Sequence, residues 1–200
     1  MKRTSVGNGN KTNGAKPRPA LPESVRVPMA AMLSAAAISI SYARFWASNI
    51  EFTSLMIFLS GFALGSATGA VVGLTTESVF SALNPYGAAP LPIFLAQIGC
   101  MTFIGAMGGL YSKLAGQSDT KLNSSLKMAT AGLYLTVLFD LLTNLGFAIS
   151  FYGGDYELAL ILGSPFMVIH VVSNTLVFGV VGPKLSYYMM KLIEKGVVYR

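Results

Sequence analysis

The stretch GFALGSATGAVVGLTTESVF, residues 61–80, sets glycines at 61, 65, 69 and 73, every fourth position, and then a single acid, Glu77. Small residues at that spacing line one face of a helix and let a neighbouring backbone approach closely, as in helices packed within lipid. Read as one helix, residues 52–83 would be about 48 Å long at 1.5 Å per residue, too long for a single crossing of the hydrocarbon. The reading therefore breaks the segment at Gly65-Ser66. Gly61 and Gly65 then serve a second helix, Gly69 and Gly73 a third, and Gly105 and Gly109 repeat the pattern in a fourth.

Composition agrees with a lipid environment. Of the 200 residues 53% are hydrophobic and only 11% charged, with a mean hydropathy of +0.60, whereas soluble domains carry about 25% charged residues. Six apolar segments follow one another: 27–45, 52–65, 67–83, 91–114, 126–151 and 158–190. They are continuous rather than alternating, which argues for helices and against a membrane β-barrel. The expected fold is an all-α integral membrane protein of six transmembrane helices, with residues 25–200 as the membrane domain. Residues 1–24, basic and rich in Gly, Asn, Ser and Pro, read as a disordered tail. The one cysteine, Cys100, excludes an internal disulfide and a cysteine metal cluster.

Charge sets the orientation. With the N-terminus inside, every Lys and Arg but Arg44 falls on the cytoplasmic side, and the loop FYGGDYEL (151–158), carrying Asp155 and Glu157, falls outside. Both termini are then cytoplasmic by the positive-inside rule. The net charge of +6 is thus a topology signal, and no nucleic-acid partner is expected.

Polar residues inside the apolar segments are the candidate site. A charge at mid-membrane costs roughly 2.5–3.5 kcal/mol on insertion scales and so should face the bundle interior. Glu77 lies near the end of the third helix and Gln97 at similar depth in the fourth. Asp140 and Asn144 share one face of the fifth helix, and His170 and Asn174 share one face of the sixth. These two i,i+4 pairs at matching depth point to a shared cavity. For Asn144 and Asn174, interhelical hydrogen bonding serves as well as ligand contact, and Thr75, Thr76 or Ser78 offer Glu77 local partners. Trp46 in the first outer loop, and Asn84 and Tyr86 in LNPYGAAPLP (83–92), are candidate lids, although Trp and Tyr also populate membrane interfaces.

The stretch FLSGFALGSATGAVVGLTTESVFSALNPYGAAPLPIFLAQIGCMTFIGAMGGL (58–110) resembles the S component of energy-coupling factor (ECF) vitamin transporters. The shared features are glycine-rich second and third helices, an acid near the end of the third, a Pro-Gly loop and a glycine-rich fourth helix. Ser66 stands where that family leads one to expect proline. The resemblance implies a high-affinity substrate-binding subunit in a prokaryotic plasma membrane, capturing a vitamin or precursor from outside. Its implied partners are a transmembrane coupling subunit and two ABC ATPases, and the small-residue face at Ala31 and Ala35 resembles the family's docking motif. No cofactor, metal or catalytic residue is implied in this chain, and the sequence holds no GxxxxGK[ST] phosphate loop. Two alternatives remain: a stand-alone proton-coupled secondary transporter, and a membrane-embedded enzyme using Asp140, His170 and Glu77. Three acid or potentially acid groups without a buried Lys or Arg favour a neutral or cationic ligand.

Overall fold

A computed structural model describes residues 21–43, 51–85, 87–114 and 121–198. The regular structure of these residues is all helical: α1 (Glu23–Ala43), α2 (Thr53–Leu64), α3 (Ser66–Ala82), α4 (Leu91–Leu114), α5 (Lys121–Phe151), α6 (Tyr156–Val180) and α7 (Gly182–Val198). Four spans, Glu23–Tyr42, Leu91–Leu114, Asn123–Phe151 and Tyr156–Val180, are long and apolar enough to cross a membrane. The chain is a membrane-embedded helical protein. Nearly all of the expected tail lies outside the described residues, and α1 begins at Glu23, four residues before the apolar run.

The break between α2 and α3 falls at Gly65, with φ 95° and ψ 160°. That backbone conformation is open to glycine and strained for other residues. The turn folds α3 back so that Gly69 lies against Gly61, and both press on the carbonyl of Gly105 in α4. The contact extends in both directions: a Cβ on Gly73 would strike the carbonyl of Met101, one on Gly108 that of Phe58, and one on Gly109 the backbone of Ser66. Three helices meet backbone to backbone. Gly65 itself has open space around its Cα, so it acts as the hinge and not as a packing residue.

Nine residues of α2 are buried, among them Leu55, Ile57, Phe58, Leu59 and Gly61. At about 18 Å, this helix is shorter than the hydrocarbon layer and sits inside the bundle, apolar on all sides. Phe58 packs edge-on against Phe178 of α6 and Tyr111 of α4. The start of α2 is polar: Thr53 Oγ1 lies 2.8 Å from Ser41 Oγ at the end of α1.

The turn between α5 and α6 is built by its own residues. Gly153 and Gly154 adopt positive φ, and the Gly154 N–H donates to the Ala148 carbonyl at 2.9 Å. Asp155 then caps α6, accepting from the Leu158 N–H at 3.0 Å, and Glu157 adds a second acid to the first turn, where the helix dipole favours it.

The sixth apolar segment is two helices. Pro183 cannot donate to the carbonyl of residue 179 and its ring crowds that turn, so α6 stops at Val180 and Pro183 sits in the first turn of α7. Toward the bundle α7 turns Leu185, Ser186 and Met189, while Lys184, Tyr187, Tyr188 and Lys191 face out. Continuous apolarity concealed this change from span to amphipathic helix.

Candidate ligand-binding cleft

α5 and α6 run antiparallel, and their facing polar side chains meet. His170 Nδ1 lies 2.7 Å from Asp140 Oδ1, and Nε2 lies 3.1 Å from Glu51 Oε2. The ring packs edge-on to Phe139, centroids 5.8 Å apart. One turn further along α6, Asn174 is 1% exposed; its Nδ2 donates to Thr136 Oγ1 at 3.1 Å and Ser54 Oγ at 3.3 Å, and lies 3.1 Å from His170 Nε2. The network therefore ties α5 and α6 to the start of α2. The two carboxyls occupy opposite edges of one imidazole, so the three side chains form a chain rather than a shell around a point. Among the described residues no group of three His, Cys, Asp or Glu is placed to hold a metal ion.

Above this network opens a cleft of about 300 Å³ between α5 and α6, lined by Asp140, Asn144 and His170 together with Phe147, Tyr152 and Phe166. It runs from Tyr152, beside the α5–α6 turn, down to His170, roughly 21 Å along α6 from Tyr156 at 1.5 Å per residue. Asn144 Nδ2 donates to the Asp140 carbonyl at 2.7 Å, and its Oδ1 lies over Gly163, where any Cβ would collide with it. Pro165 withholds the N–H that would reach the Ile161 carbonyl, and Ser164 Oγ donates there instead, at 2.9 Å. The α6 wall is thus held locally by a side chain in place of a backbone hydrogen bond.

Asp140, Asn144, His170 and Asn174 are brought together. Glu77 is not among the cleft-lining residues: it is buried on α3, which packs on α1, α2 and α4, and it accepts from Ser81 Oγ at 2.9 Å. Ser81 lies one turn further along α3 than Glu77. Gln97, half-buried on α4, and Asn84, whose carbonyl accepts from the Gly87 N–H, do not line the cleft either. Trp46 and Tyr86 lie outside the described residues.

The sequence reading missed Glu51. It directly precedes the apolar run 52–65 and so reads as an outer-loop residue, yet it is 4% exposed and engages His170. A signal existed: an apolar run too short to reach the surface must start inside the bundle, carrying its preceding residues with it.

No protein-family profile, curated protein or solved structure matches this chain.

Proposed function

We propose that this chain is the substrate-capturing membrane subunit of an ECF-type importer, binding a small vitamin-like molecule from outside and passing it on with a coupling subunit and two ATPases. The observation that carries the reading is the α5–α6 cleft, a cavity with an ionisable floor between two membrane-length helices. Polar and ionisable groups at membrane depth are costly and mark function by default. Ala31 and Ala35 add support, since both are exposed on α1 and turned away from the bundle, open to a partner helix. In this reading the chain crosses the membrane six times in a prokaryotic plasma membrane, both termini cytoplasmic, with the α5–α6 turn outside.

Affinity-tagged chain expressed with candidate coupling modules should recover one coupling subunit and two ATPases; recovery of neither, under conditions that preserve the fold, sinks the proposal. Ala31→Trp or Ala35→Trp should abolish that recovery and leave ligand affinity unchanged. Orientation has its own test. A cysteine in place of Glu157 should react with a membrane-impermeant thiol reagent in intact cells and one in place of Lys184 should not, the reverse pattern inverting the topology.

A second reading, a stand-alone proton-coupled transporter, draws on the Asp140–His170–Glu51 chain, the kind of linked ionisable groups found in proton relays. Uptake by the reconstituted chain alone, dependent on a proton gradient, would favour it.

A further inference from the structure

The floor of the cleft holds one basic side chain, His170, and both of its ring nitrogens are engaged by carboxyls, Asp140 and Glu51. Asp140 directs one oxygen at His170, while its other, Oδ2, is buried with no hydrogen-bond partner among the described residues. The residue is only 7% exposed and lines the cleft. Leaving such an acceptor unmet away from water costs more than a typical hydrogen bond returns. Among the described residues neither Lys nor Arg lines the cleft, so no Lys or Arg there meets that oxygen. Higher up, Phe147, Tyr152 and Phe166 line the same space, and aromatic ring faces attract cations.

We propose that the cleft takes a monovalent organic cation with a flat ring body, its cationic nitrogen seated against the Asp140 carboxyl and its ring among Phe147, Tyr152 and Phe166. The inference rests on the capture reading for its site and is independent of the coupling partners. An anionic ligand would meet a floor where two carboxyls, Asp140 and Glu51, share a single imidazole. A volume of about 300 Å³ is at the small end of ligand pockets, suited to one or two rings.

The test is calorimetric titration of the full purified chain in detergent, against protein-free micelles, with three probes of nearly one shape: 1-methylquinolinium, neutral 1-methylnaphthalene and anionic 1-naphthoate. The cation should bind at least tenfold more tightly than either other probe. Asp140→Asn should weaken it roughly ten- to a hundredfold, and Phe166→Ala, an exposed wall residue, roughly two- to tenfold. Should Asp140→Asn fail to fold, the probe ranking and Phe166→Ala decide. Equal or tighter binding of the neutral or anionic probe overturns the inference, as does cation affinity untouched by both variants, or no binding by any probe. Cation binding by a chain that recovers no coupling subunit or ATPase keeps this inference and removes the importer reading. A recovered complex that prefers the anion does the reverse.

Discussion

The α2–α3–α4 region and the α5–α6 hairpin face the same problem, holding helices together where water gives no hydrophobic push. In the first, glycines remove side chains from the contact, and Gly61, Gly69 and Gly105 touch through their backbones. In the second, contact runs through long side chains, Asp140 to His170 and Asn174 to Thr136. Backbone contact leaves no space and no choice of geometry. Side-chain contact leaves room beside the polar network, and there, between Asn144 and His170, the cleft opens. The region nearest the quoted glycine pattern is therefore scaffold, and the region with the plainer sequence holds the cleft.

Breaking the scaffold should have the largest effect. Gly105→Leu drives a branched side chain into the Gly69 carbonyl, and the expected result is loss of monodisperse protein on size-exclusion chromatography. Folded yield within twofold of wild type would show that the three-helix contact is dispensable.

Removing the centre of the hairpin network comes next. His170→Phe leaves Glu51 and Asp140 facing an apolar ring, and stranding partners of a buried pair typically costs about 3–5 kcal/mol. The melting temperature should fall well below that of Glu51→Gln, which keeps a hydrogen-bonding group beside the imidazole. Equal melting of the two variants would mean that the network contributes little.

Asn144→Ala sharpens the comparison at smaller scale. Its amide donates to the Asp140 carbonyl and borders the cleft, so truncation should lower ligand affinity by about 0.5–1.5 kcal/mol, roughly two- to tenfold, without a change in yield. An effect as large as that of Asp140→Asn would shift the main anchor to the amide. The smallest effect belongs to Gly99→Ala, on an exposed face of α4 with open space at its Cα. It should stay within about 0.5 kcal/mol, and a larger loss would place an unseen neighbour on that face.

Much of the scaffold was legible because its signals are local. Glycine every fourth residue announces close packing, and a segment too long for one span calls for a break, found at Gly65. The meeting of Asp140 with His170 followed from two i,i+4 pairs at equal depth. What remained hidden depends on how far a helix end lies from the membrane surface. Glu51 looked like a loop residue because hydropathy marks where an apolar run begins, not how deep its start is set. The end of α6 was masked by apolar residues continuing past Pro183, and the placing of Glu77 away from the cleft depends on which helices neighbour α3.

The Glu51–His170 contact also imposes an order on biosynthesis. The two residues are 119 positions apart, so at ribosomal rates of 5–20 residues per second the carboxyl is made about 6–24 s before the imidazole it joins. Through that interval α2, too short to span alone, has neither its polar partners on α6 nor the wall that Phe178 provides. The polar start of α2 therefore completes its contacts late, after the hairpin arrives, although its glycine contacts with α3 and α4 have their partners earlier. Ribosome-arrested chains ending before residue 170 should leave a cysteine at Thr53 open to an aqueous thiol reagent, and chains extending past α7 should close it.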